Sequence, residues 1–212
     1  GTSYYNVFVD GKLHKVVKVC GTDTLIHLVS GIDKRIHSLK IQKRSEGEFG
    51  KTTVHQFVLS GSGRLAEEPA VRTRHIEFIG NSLTCGYGTD GKHRDEPFLV
   101  ETENCNLTFA SMVARYYDAD YTLIAHSGRG AARNYGDSVR VSKVTMKDRM
   151  LNTFDEDLTH KWNFKEYRPD LVVINLGSND FSTEPHPYKS EFTKAYKQIL
   201  AQLREHYGDI PI

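Results

Sequence analysis

The chain has 212 residues, 38% hydrophobic and 26% charged, which is ordinary for a globular protein with one good core or two small ones. With 28 Lys and Arg against 27 Asp and Glu, the formal net charge is +1. No basic field draws nucleic acid or an anionic membrane, so neither is an expected partner, and runs such as Leu171-Val172-Val173-Ile174 are too short to span a bilayer.

The chain opens at Gly1 without a methionine, so it reads as a processed or trimmed product. The first seventy-odd residues read as β structure. Tyr5-Asn6-Val7-Phe8-Val9 runs through the turn pair Asp10-Gly11 into a second strand over residues 13–19. Further short strands are expected over residues 25–29, 35–42 and 54–59, with turn signals at Gly21, Gly31 and between Gly47 and Gly50. This rhythm predicts a β-sandwich or jelly roll over residues 1–72, incomplete because its strands are few for a closed sandwich.

After Gly61-Ser62-Gly63 and Pro69 the period changes. Residues 76–79 read as a strand. Phe109, Met112, Val113, Tyr116 and Tyr117 form one apolar stripe at helical spacing. Residues 121–125 and 171–176 read as further strands, the latter covered on both faces. Phe192, Ala195, Tyr196, Ile199, Leu200 and Leu203 make a second helical stripe, and Asp209-Ile210-Pro211-Ile212 reads as the start of a fourth strand. Residues 73–212 are therefore expected to form an α/β domain with a parallel sheet, cut off at its C-terminus.

Cys20, Cys85 and Cys105 are an odd set without a CxxC pair, so a zinc knuckle is not expected. Cys85 and Cys105 form a bridge if the protein is exported; otherwise all three are free thiols.

Each strand of the second half ends in a small polar cluster: Gly80-Asn81-Ser82-Leu83-Thr84, His126-Ser127-Gly128-Arg129-Gly130 and Gly177-Ser178-Asn179-Asp180. Ligands of open parallel sheets bind at these strand ends. A serine in a glycine-flanked turn can be a nucleophile, and the N–H of Ser82, the N–H of Gly128 and the amide of Asn179 can form an oxyanion hole. Read blandly, the same residues only turn the chain.

These clusters resemble the first three blocks of the SGNH (GDSL-like) hydrolase superfamily. Residues 76–88, 127–130 and 175–182 resemble carbohydrate esterase family 2 in particular, as do residues 6–11 and 37–46. The resemblance implies a flavodoxin-like parallel sheet with helices on both faces, preceded by a jelly-roll domain. It implies a serine esterase removing O-acetyl groups from plant polysaccharides such as xylan or mannan, exported or periplasmic, with no metal or organic cofactor. Ser82 matches the nucleophile, and Gly128 and Asn179 match the oxyanion donors. The family usually has Asp where this chain has Asn81. Its base comes from a late Asp-x-x-His block that does not follow Asn179, so the catalytic histidine is expected beyond Ile212. His186 lies between two prolines, His206 ends a predicted helix, and His126 has no base role in the family pattern.

Arg129 either contacts a sugar hydroxyl or anchors its loop. Trp162 is either a sugar-stacking platform or packing near Phe164 and Tyr167. Asp155-Glu156-Asp157 reads as a solvated acidic loop rather than a cation site. A competing function is a non-catalytic carbohydrate-binding protein on a hydrolase fold. A lipase- or thioesterase-like relative is a third. No protein partner is indicated.

Overall fold

The computed structural model describes residues 1–67, 72–154 and 156–212. Pro69 and Asp155 lie outside the described residues. The first half is a three-stranded antiparallel sheet of order β2-β1-β3, built from β1 (Thr2–Val9), β2 (Lys12–Cys20) and β3 (Leu39–Lys43). Asp10 and Gly11 both have positive φ, the geometry of the two-residue hairpin that joins β1 to β2. The Asp10 carboxylate also accepts from Ser38 N–H and pairs with His37, which brings β3 in on the other side of β1.

Three expectations for this half are corrected. Residues 25–29 and 54–59 are not strands, and the strand expected over residues 35–42 begins at Leu39. A ladder needs a partner as well as β-branched residues. Leu25, Val54, Phe57 and Val58 are instead exposed. Residues 33–37 are turned locally, with Arg35 N–H and the His37 ring both on the Asp33 carboxylate.

The second half is a parallel sheet of order β5-β4-β6, with β4 (His75–Gly80) at its centre between β5 (Asp120–Ala125) and β6 (Leu171–Ile174). A short helix α1 (Ser82–Cys85) follows β4, α2 (Phe109–Tyr116) leads into β5, and α3 (Met146–Arg149) and α4 (Lys189–Tyr207) complete the set. Alternate residues of β4 serve opposite layers. Ile76 and Phe78 pack with Ala110 and Ala114 of α2, whereas Ile79 joins Ile199, Leu203 and Tyr207 of α4. Helices thus cover both faces. The fully buried Ile199 and Leu203 each contribute roughly 1.5–3 kcal/mol.

The helical period of α2 is as expected, but its facing is not. Ala110, Ser111 and Ala114 are buried, whereas Met112, Tyr116 and Tyr117 are exposed, Tyr116 at 84%. Small side chains let the helix lie close to β4, and the larger ones are left outside. The expected fourth strand is a single hydrogen bond, from Val172 N–H to Pro211 O, beside the open edge of β6. Among the described residues no helix is long and apolar enough to cross a membrane.

The two sheets meet across a buried polar seam. Arg44, 1% exposed, donates from Nε to Glu103 O (2.7 Å), from Nη1 to Asn6 Oδ1 (3.3 Å) and from Nη2 to Glu101 O (3.1 Å) and Asp90. Asn6 in turn donates to Asn104 Oδ1 at 2.9 Å. Removing one partner of such a cluster strands the others without water. Arg44→Ala is expected to lower unfolding stability by about 3 kcal/mol, read as a fall in the urea midpoint; an unchanged midpoint would mean the seam contributes nothing.

Candidate active site

The three polar clusters lie at the carboxyl ends of three adjacent parallel strands because the ladder pairs Gly80 with Ala125 and Ile79 with Ile174. Asn81 is the N-cap of α1: its side-chain oxygen accepts from Leu83 N–H at 3.2 Å, and its amide nitrogen donates to Ser178 Oγ at 2.9 Å. Asparagine therefore fills this position with both an acceptor and a donor. Ser82 is the first residue of α1 and half-buried. Among the described residues its Oγ and its N–H have no hydrogen-bond partner, and the Gly128 N–H has none either.

Gly128 has φ 76°, a conformation that L side chains rarely adopt. Its carbonyl accepts from Tyr135 N–H at 2.8 Å. The Asn179 amide donates to Arg129 O at 2.8 Å, leaving its second N–H for another acceptor. The buried Asp180 carboxylate accepts from the N–H groups of Ala131, Ala132 and Arg133 at 3.0, 2.7 and 2.9 Å. Gly130 makes this close approach possible, since a Cβ there would lie 2.4 Å from Asp180 Oδ2. The Ser82 cluster is thus bonded to the third cluster through Asn81 and Ser178, and the third to the second through Asn179 and Arg129, while Asp180 holds the residues just after the second.

The remaining expected residues separate from this group. The Arg129 backbone anchors the loop through Asn179, while its buried Nε has no hydrogen-bond partner. Trp162 is half-buried beside the Asn152–Lys161 bridge, with no ring contact or side-chain bond to the three clusters among the described residues. Phe164 stacks on His206 at 3.9 Å, and Tyr167 lies over His75, so neither ring packs on Trp162. His186 is exposed beside Glu184 (3.3 Å), and buried His126 places Nε2 3.1 Å from Glu48. None of these histidines is bonded to Ser82. Of the acidic loop, Glu156 pairs with Arg149 and Asp157 with His160. Cys85 and Cys105 are free thiols; burial pushes Cys105 up to about 11 and Cys85 well above its usual value.

One neighbour of the site lies in the first half of the chain and was legible there only as part of a resembling stretch. Glu46, just past β3, accepts from Ser127 N–H at 2.7 Å, and its own N–H donates to the Glu103 carboxyl at 2.9 Å. Ligand atoms of Glu46, Cys85 and Glu103 converge within 4.8 Å, as do those of Glu46, Glu48 and His126. A cation at the first set would have to displace protons from Cys85 and Glu103. Glu103 is raised to about 8 by burial, then by the Glu46 charge and a side-chain hydrogen bond to Glu46.

The profile of the GDSL-like lipase/acylhydrolase family matches residues 78–212, and the chain belongs to that family. Within this class it groups with the family two carbohydrate esterases, whose N-terminal domain profile matches residues 1–69. Cellulase/esterase CelE of Acetivibrio thermocellus is 36% identical over 212 residues, all of this chain and 25% of CelE. An acetylxylan esterase / glucomannan deacetylase of Cellvibrio japonicus is 33% identical over 84% of this chain and 49% of that protein. A solved family two carbohydrate esterase from Clostridium thermocellum, in complex with cellohexaose, superposes with TM-score 0.88 at 34% identity, covering 99% of this chain and 63% of that one. The chain thus spans a quarter to a half of these curated relatives.

The Glu46–Glu103 pair makes stability pH-dependent. Its folded value of about 8 lies above the ordinary 4.5, so the Glu103 contribution is fully present below pH 4.5 and is lost as pH rises through 8. Glu103→Gln cannot ionise. Its melting temperature should match wild type near pH 5 and exceed it by at least about 3 °C above pH 8; equal melting at both pH values would show that Glu103 is not raised.

Proposed function

We propose that the protein is a serine esterase that removes O-acetyl groups from plant polysaccharides of the xylan or mannan type. The observation that carries this reading is the hydrogen-bonded chain joining Asn81 to Ser178 and Asn179 to Arg129, which holds the Ser82, Gly128 and Asn179 clusters at one end of a parallel sheet. The acetylxylan esterase and deacetylase relatives support the substrate class. Ser82 is the nucleophile; Asn179 and the backbone N–H groups of Ser82 and Gly128 are the oxyanion donors. Arg129 and Trp162 remain candidates for sugar contact.

In the reaction Ser82 Oγ attacks the acetyl carbonyl while a histidine takes the hydroxyl proton. The carbonyl oxygen becomes an oxyanion held by the three donors. The C–O bond to the sugar then breaks, the sugar oxygen receives the proton, and an acetyl–Ser82 ester remains. Water, deprotonated by the same histidine, attacks that ester and releases acetate and free Ser82. No described histidine is bonded to Ser82, so this reading places the base in residues beyond Ile212 in the natural protein. It also takes residues 1–72 as part of a jelly-roll domain and 73–212 as part of the hydrolase domain, a division supported by the two separate sheets and the two matched profiles. Its substrate lies outside the cytoplasm, so export belongs to the same proposal.

A second reading is a glycan-binding protein that has lost catalysis. It is favoured by the cellohexaose held by the solved relative. Acetate release from acetylated xylan by the natural full-length protein separates the two. Release should vanish with Ser82→Ala and fall about 10²–10³-fold in kcat with Asn179→Ala. Glycan binding without release from wild type would favour the second reading.

A further inference from the structure

The site is braced from outside its own sheet. Glu46 follows β3 of the N-terminal sheet, yet its Oε2 accepts from two elements of the other half. One donor is Ser127 N–H (2.7 Å), in the residue preceding Gly128; the other is Cys85 Sγ (3.5 Å), in the same four-residue helix as Ser82. One carboxylate oxygen therefore spans the nucleophile's helix and the Gly128 loop. Two residues on, Glu48 reaches His126 at 3.1 Å, a second tether from the same turn to the same loop. Glu46 is itself held by Glu103, which accepts its N–H, and by Lys43, whose Nζ donates to its carbonyl.

We propose that Glu46 is a positioning residue for the esterase reaction, setting the Gly128 N–H relative to Ser82 through Ser127, and that Glu103 keeps it in place. The N-terminal sheet thereby completes the catalytic geometry of the hydrolase sheet. The proposal rests on the esterase reading above.

Its physical basis is direct. A carboxylate acceptor at 2.7 Å from a backbone N–H is a charge-assisted bond, stronger than a neutral one. Without it the half-buried Ser127 N–H loses its acceptor, and the loop must shift to find another. A displaced oxyanion donor costs transition-state stabilisation more than substrate affinity. The charged and titratable groups facing Glu46 are Lys43 and Arg44 at the end of β3, Glu48 in the following turn, Cys85 and Tyr87 at α1, Glu103 and Cys105, and His126 after β5. Of these, Glu103 is the group brought to about 8 by burial and by Glu46. When it ionises, two buried carboxylates repel, and Glu46 is driven from Ser127. Activity should therefore decline on the alkaline side as Glu103 loses its proton.

The test uses the natural full-length protein, with kcat and KM for acetate release measured from about pH 6 to pH 10. Glu46→Ala should lower kcat about 10- to 100-fold with KM changed less than about threefold. Glu46→Gln, whose amide oxygen can accept the same N–H, should recover most of that loss. Glu103→Gln should move the alkaline limb of kcat to higher pH. Folded Glu46→Ala with wild-type kcat, or a Glu103→Gln alkaline limb in the wild-type position, overturns the proposal.

If Glu46→Ala fails to fold, Glu46→Asp decides: its shorter carboxylate falls short of Ser127 N–H, so kcat should drop, and a wild-type kcat overturns the proposal. Amide exchange of the segment around Ser127, measured in a Ser82→Ala background, keeps the two ideas separate. Faster exchange on adding Glu46→Ala upholds the bracing even if wild type releases no acetate, in which case the esterase reading alone fails. Unchanged exchange sinks the bracing whatever the activity.

Discussion

A guanidinium withdrawn from water is tolerated only where oxygens surround it, and Arg44 is withdrawn almost completely. That demand organises the region between the two sheets. Carbonyls of Glu101 and Glu103 turn inward to it, Asp90 is drawn across, and Asn6 of the first strand is committed through the same cluster. Residues 101–104 then cannot wander, and Glu103 and Asn104 are fixed beside β1 and β3. Because Glu46 follows Arg44 by two residues, the same constraint carries its carboxylate to Ser127.

The other half of the site depends on backbone geometry more than on charge. Parallel ladders bring the ends of β4, β5 and β6 level, and the loops that leave them must then be tied down. Asp180 does this by collecting three consecutive N–H groups, with Gly130 giving the room. Asn81 does it at the first strand by capping α1 and donating to Ser178. A carboxylate at position 81 could accept from both neighbours but could not donate; the amide keeps two bonds without adding a charge to a fully buried position.

Much of this was legible in the chain. The hairpin at Asp10-Gly11, the strands of the parallel sheet, the period of both long helical stripes and the polar clusters holding Ser82, Gly128 and Asn179 all follow from local patterns. The failures share one cause. Residues 25–29 and 54–59 have strand composition but no ladder partner, and α2 buries its alanines because the close approach of β4 leaves no space for Met112 or Tyr116. Each outcome is set by what lies opposite, which a single stretch of sequence does not encode.

The sequence by itself determined the parallel α/β half, the order of its strands and the side chains offered at each strand end, because turn chemistry and apolar periodicity are short-range. Only the tertiary structure decided which of the polar residues meet. It placed Glu46 on Ser127, Asp180 on residues 131–133 and Glu103 beside Glu46, and among the described residues it gave Trp162 no hydrogen bond or ring contact to the three clusters. Those pairings join residues tens of positions apart, and they follow from burial: a polar group shut away from water must take whatever partner the packed chain brings within reach.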